Sequence, residues 1–243
     1  MDAHITSALD GQIWSIGINR PDKRNALDGM MFDALANALL LAQGDIRVHC
    51  VVLHGTANSF CSGHDTAAFG TLWPQAANGA VRRCITAFAE QPKPLLAAVN
   101  GAAVGFGATM LLHADWVVAG ESAIFRFPFA DLGIVPEAGA TALLARRVGD
   151  LVARDWLMSG RTITAAEALR HGFVSRVVPD PDTRAAANDY AMRLAAKPPS
   201  ALQATRRLLL DGAHLPAREA IGMEFFQLNT FIPAVTWTSI PHG

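Results

Sequence analysis

The chain has 243 residues, 51% of them apolar, enough for one large core with subunit interfaces or for a domain carrying a smaller helical appendage. A formal net charge of −1 excludes a nucleic acid or a membrane surface held by bulk electrostatics, and leaves anionic small molecules to a few local cations. Three cysteines, Cys50, Cys61 and Cys84, cannot all pair within the chain and read as reduced thiols, which points to the cytoplasm. Asp2 precedes no basic-then-apolar progression, so no signal peptide is visible, and Gly, Asp or Arg breaks each apolar run short of a membrane span.

In chain order, Trp14, Ile16 and Ile18 alternate with smaller residues as in a half-buried strand. A loop over Arg20–Asn25 follows. Asp28 then predicts the N-cap of a helix to about Gln43, with Met31, Leu35 and Leu39 on its apolar stripe. Val48–Leu53 reads as a buried strand. Residues 66–90, with Gly70, Pro74 and Gly79, are the least regular part, the kind of stretch in which selectivity often resides. Beyond it the pattern gives a strand over 95–99, a glycine-rich turn, a helix to about Leu112, and strands at 116–119 and 123–127. A loop at 128–136 leads to a helix beginning near Glu137. From Asp150 onward the chain reads as helical except for a strand at Phe173–Val178, and no internal repeat is visible. Strands alternating with helices, then a helical run, give an α/β fold with a helical C-terminal part.

Two glycine-bracketed turns carry the chemistry, Phe60-Cys61-Ser62-Gly63-His64-Asp65 and Asn100 to Gly107, and each follows a strand-like run. Glycine opens backbone conformations closed to other residues and lets a ligand approach the main chain. Unpaired N–H groups at such turns can face a developing negative charge, so two of them suggest a two-donor oxyanion hole. His64-Asp65 beside Cys61 fits no zinc spacing, and there is no G-x-S-x-G elbow. Gly105-Phe106-Gly107 is only a partial dinucleotide fingerprint, with Met110 in place of the third glycine.

The order and spacing of four segments make the chain resemble the crotonase, or enoyl-CoA hydratase/isomerase, superfamily over roughly residues 10–215. They are Arg20–Leu27, Phe60–Asp65, Lys93–Gly101, and Leu157–Arg161 with the Ala-Ala-Glu-Ala that follows. The resemblance implies a spiral of β-β-α turns over residues 1–195, and a C-terminal helical part, 196–243, that builds homotrimers or hexamers. It implies an acyl-CoA thioester substrate, with coenzyme A as part of that substrate and no other cofactor or metal. The thioester oxygen is then held by the main-chain N–H groups of His64 and Phe106. Ser62, Gly63 and Asp65 in the first turn, and Lys23, Arg24 and Ala26 in the loop, fall at substrate-binding positions.

The two glutamates of typical hydratases align with Thr109 and Phe129, and neither residue is a general base. The run Pro128–Glu137 instead looks like the peroxisomal-type Δ3,Δ2-enoyl-CoA isomerases, which makes Glu137 the catalytic acid–base and predicts that burial beside Phe129 raises its pKa. A bland reading of Glu137 is an acid stabilised at a helix N-terminus. The other functional readings are hydration through a rearranged site, thioester hydrolysis, and a non-catalytic CoA-binding oligomer. Trp73, Phe69 and Phe88 are candidates for an acyl tunnel. The Phe225-Phe226, Phe231–Pro233 and Val235–Trp237 segments read as an apolar, interface-forming tail.

Overall fold

Parallel strands buried on both faces and joined by helices organise the computed structural model, which describes residues 4–56 and 58–234. A hairpin of β1 (Ile5–Asp10) and β2 (Ile13–Ile18) leads into helix α1 (Gly29–Gly44), then β3 (Cys50–His54) and β4 (Ser59–Cys61). The one-turn α2 (Phe69–Leu72) and α3 (Ala80–Ala89) precede β5 (Leu95–Val99), β6 (Ala102–Val104) and the short α4 (Phe106–Thr109). Next come β7 (Trp116–Gly120), β8 (Ile124–Arg126), α5 (Ala140–Val148), α6 (Asp150–Ser159), β9 (Ile163–Thr164), α7 (Ala165–Arg170), β10 (Arg176–Val178) and α8 (Thr183–Ala195). The chain divides into two compact units between Ala195 and Ala196, the second built on α9 (Pro199–Gly212) and α10 (Ala217–Phe231). Among the described residues no helix is long and apolar enough to cross a membrane.

Two sheets share the strands. One has the order β1-β2-β3-β5-β7-β10 and is parallel apart from the β1–β2 hairpin; the other has the order β4-β6-β8-β9. The pairs β3/β4, β5/β6 and β7/β8 each give one strand to each sheet, so the chain advances as a spiral of β-β-α turns. Successive side chains on the central strands point to opposite faces and feed two cores. Val51, Leu53, Leu95 and Ala97 pack with Phe32 and Leu35 of α1 and Phe88 of α3. Val52, Leu96, Ala98 and Val118 pack with Ala187, Ala191 and Ala195 of α8.

Asp28 caps α1 as its position predicts, its Oδ1 accepting the Met31 N–H at 3.0 Å. Several expectations need correction. The helix awaited near Glu137 starts at Ala140, because Ala138 and Gly139 take left-handed φ values of 54° and 71° that delay its first turn. The helix awaited to Leu112 is α-helical only over α4 and continues as a 3-10 turn to His113. Only Arg176–Val178 of the expected 173–178 strand pairs, since Phe173 and Val174 bond back to Ala168. Residues 123–127 contribute three paired residues. Phe231–Pro233 continues α10 into a 3-10 turn, while Val235, Thr236 and Trp237 lie outside the described residues.

The second sheet positions the site. Parallel pairing of β4 with β6, Ser59 with Ala102 and Cys61 with Ala103, makes both strands leave the sheet at the same end. Their two glycine turns therefore emerge side by side beyond the carboxyl ends of the strands, where ligands bind in open α/β sheets. Gly107 keeps α4 pressed onto β4, because a Cβ there would overlap the Cys61 carbonyl.

Candidate active site

The loop before α1 fixes the first turn. Asn25, fully buried with φ 61°, donates from its side-chain amide to the carbonyls of Ser59 at 2.7 Å and Phe60 at 3.1 Å, and accepts the Arg20 N–H at 2.7 Å. Asparagine tolerates that left-handed conformation better than most residues, which explains the residue type. Arg20 in turn reaches Asp65 at 3.0 Å, Asp28 at 3.5 Å and the Ala26 carbonyl at 3.1 Å. Neither Asn25 nor Arg20 stood out as functional in the sequence; their signal was position within the Arg20–Leu27 motif.

Leu27 donates to the Gly63 carbonyl and accepts from the Asp65 N–H, both at 2.8 Å. Neighbouring peptides in an extended segment face opposite ways, so the His64 N–H between those bonds points away from Leu27. Phe106 opens α4 behind Gly105, which takes φ 55°, and its N–H is one of the groups a helix start leaves unpaired. Among the described residues neither N–H has an acceptor. A Cβ built on Gly63, whose φ is 90°, would sit 2.7 Å from the Val104 carbonyl oxygen and 3.3 Å from the Phe106 nitrogen. The two turns are thus in contact, and glycine is what permits it.

Both turns border a cavity of about 460 Å³, to which Ser62, Gly63, His64, Phe106 and Glu137 contribute. The remaining wall is mostly apolar, with Phe69, Trp73, Phe129, Leu132, Ile134 and Val135 among its members. Phe88 belongs to the core instead, edge-on to Phe106 at 6.2 Å. Asp65, Lys23, Arg24 and Ala26 do not border the cavity. The Asp65 carboxylate is engaged by Arg20 and by the Ala67 N–H at 3.1 Å, so it holds the turn. Lys23 and Arg24 adjoin Ser62 through their backbone, whose carbonyls accept the Ser62 hydroxyl at 3.3 Å and its N–H at 3.1 Å respectively.

The Glu137 carboxylate turns inward rather than capping α5. Burial raises its pKa from 4.5 to about 7, opposed by a hydrogen bond from the Thr109 hydroxyl to Oε1 at 2.5 Å. Oε2 is shielded from solvent and has no hydrogen-bond partner among the described residues. The His64 ring sits among Phe32 at 4.7 Å, Phe69 at 5.3 Å and Phe106 at 5.9 Å, and desolvation lowers its pKa to about 4. It is a neutral imidazole at pH 7. The sequence marked Glu137 as the acid and missed Thr109 as its partner, having set that position aside for lacking a base.

The enoyl-CoA hydratase/isomerase family profile matches residues 9–231. The chain belongs to that family. The 2,3-dehydroadipyl-CoA hydratase of Escherichia coli is 37% identical over 218 residues, covering 89% of this chain and 85% of the relative. Enoyl-CoA delta isomerase 2 of Rattus norvegicus is 34% identical over 206 residues, covering 82% of this chain and 52% of the relative. The crystal structure of an enoyl-CoA hydratase/isomerase from Pseudoalteromonas atlantica T6c superposes with a TM-score of 0.82 at 34% identity, covering 90% of this chain and 86% of that one. Most of the similar proteins are named hydratases and some isomerases. Family membership makes the chain an enzyme of crotonase fold in fatty-acid and CoA metabolism, for which an acyl-CoA thioester is the fitting substrate.

Proposed function

We propose that this enoyl-CoA hydratase/isomerase family member is a Δ3,Δ2-enoyl-CoA isomerase akin to the peroxisomal type. The observation that carries the reading is a half-buried carboxyl residue, the one acid among the described residues that line the cavity, beside two main-chain N–H groups that have no acceptor among those residues. The thioester oxygen lies between the N–H groups of His64 and Phe106. Glu137 takes a proton from C2, the C2–H electron pair joins the π system, and the dienolate charge collects on that oxygen. The same carboxyl then delivers its proton to C4, which leaves the double bond at C2–C3 and Glu137 ionised again. Two fixed dipoles are worth most where water is excluded, and the apolar wall supplies that. The charge change on Glu137 is centred where a base working near neutrality is most effective.

Hydration needs a second group to place and activate water. At the aligned positions the chain has Phe129, and Thr109, whose hydroxyl is committed to Glu137. Incubation with a 3-enoyl-CoA should give conjugated product, while a 2-enoyl-CoA should take up little water. Rapid hydration of the 2-enoyl ester with no isomerisation of the 3-enoyl ester would replace this reading with the hydratase one. With Glu137 as base, kcat/KM should rise with pH through a limb near 7, because only the ionised carboxylate accepts the C2 proton.

Coenzyme A enters as part of the substrate in this reading, with Ser62 and Gly63 framing its thioester and the Lys23 and Arg24 side chains facing its phosphates. Ile221, Phe225, Phe226 and Leu228 of α10 are all exposed, and four large apolar side chains open on one helix support a trimerising role for the second unit. Light scattering should return three or six times the monomer mass of 25.8 kDa; a monomer at micromolar concentration would remove that role.

A further inference from the structure

We propose that Thr109 is a positioning residue that fixes the Glu137 carboxyl group through Oε1, so that the same group collects the proton at C2 and delivers it at C4. This rests on Glu137 being the base. Thr109 is fully buried at the end of α4, where its hydroxyl lies 2.5 Å from Glu137 Oε1 and 3.3 Å from the Phe106 carbonyl oxygen. A hydroxyl has one proton, and the shorter contact to a carboxylate is the stronger bond. It therefore points at Oε1, while Oε2 is shielded from solvent and has no hydrogen-bond partner among the described residues.

Both states of the reaction keep this arrangement. When C2–H breaks, the carboxyl group takes the proton, and in its neutral form it still has an oxygen that accepts from Thr109. When O–H breaks, the dienolate pair forms the C4–H bond and the carboxylate returns to its starting state. Phe106 adds a coupling, since the residue supplying one oxyanion donor offers its carbonyl as the hydroxyl's alternative partner, and that contact ties the base to the turn that holds the charge.

The other titratable groups around Glu137 are all uncharged at pH 7 or occupied. Cys61 on β4 is pushed up to about 12, Cys84 on α3 is raised well above its usual value, and the His64 imidazole is neutral; desolvation is the main cause in each case. His113, from the 3-10 turn after α4, bonds the neighbouring Ala138 carbonyl at 3.0 Å. Thr109 is thus the group that lowers the Glu137 pKa against burial.

The test uses the full-length enzyme with Thr109→Val, which keeps the shape, and Thr109→Ser, which keeps the hydroxyl. Thr109→Ala stands in if the valine variant does not fold. In Thr109→Val the acidic limb of kcat/KM should move upward by at least half a pH unit. Its kcat at pH 7 should fall at least tenfold with KM within threefold, and less deuterium from C2 should appear at C4. Thr109→Ser should restore all three readouts. An unmoved limb with undiminished label transfer in Thr109→Val, or a serine variant that behaves like the valine one, overturns the proposal. The Glu137→Gln variant separates the two ideas. If it is inactive while Thr109→Val matches the parent, only the positioning role falls; if it retains activity, the base assignment falls as well.

Discussion

Glu137→Gln should abolish isomerisation, lowering kcat by about 10²–10⁴-fold, while the enzyme still binds a CoA ester with nearly the parent affinity. The amide has the size of the carboxyl group and its oxygen can still accept from Thr109, so the cavity keeps its shape. What it loses is the ability to take up a proton. The same variant should be more stable than the parent at pH 8. Folding raises the Glu137 pKa from 4.5 to about 7, so the neutral form is the one the fold prefers. Its stabilising contribution is complete below the unfolded value and is lost as pH rises through the folded one. By pH 8 the loss amounts to roughly 3 kcal/mol, at 1.36 kcal/mol per pKa unit. Urea denaturation should therefore show the variant ahead by about that amount at pH 8 and level with the parent at pH 4. Equal turnover in variant and parent removes Glu137 from the mechanism. Equal stability at pH 8 would show that its carboxylate is hydrated in the folded protein.

The sequence showed the site's main elements more clearly than it showed the strands that place them. β3 and β5 are five-residue runs buried along nearly their whole length, and such runs announce themselves. β4, β6 and β8 are three residues each, too short to show a period, and their meaning comes from pairing with one another across the spiral. For that reason the sequence shows no internal repeat although the structure has one. Glu137 drew notice through the likeness of the Pro128–Glu137 run to the peroxisomal-type isomerases, since residue chemistry alone reads it equally well as an acid at a helix N-terminus. Thr109 was noticed only as an aligned position without a base, because its hydroxyl gains a role only when a carboxylate 28 residues away is folded against it. Asn25 was hidden for a related reason, its partners Ser59 and Phe60 being backbone carbonyls, which leave no mark in a sequence.

Gly63→Ala should cost turnover about 10²–10³-fold, the effect of losing one oxyanion donor, without losing the fold. Two independent strains act at this residue. A φ of 90° is poorly suited to alanine, and the added methyl would stand 2.7 Å from the Val104 carbonyl oxygen and 3.3 Å from the Phe106 nitrogen. Both neighbours are backbone, so relief requires the two turns to separate. Separation widens the gap between the His64 and Phe106 N–H groups, and in the mechanism proposed above the two dipoles that serve one oxygen then reach it with poor geometry. The fold itself rests on the sheet pairing and the two cores beneath, which the methyl does not touch. Gly44→Ala supplies the contrast. That glycine ends α1 in open space, and alanine there should leave turnover unchanged and stability equal or slightly higher. A folded Gly63→Ala enzyme with parental kcat would mean that the charge on the thioester oxygen is held elsewhere, because no position for the methyl leaves both donors where they now stand.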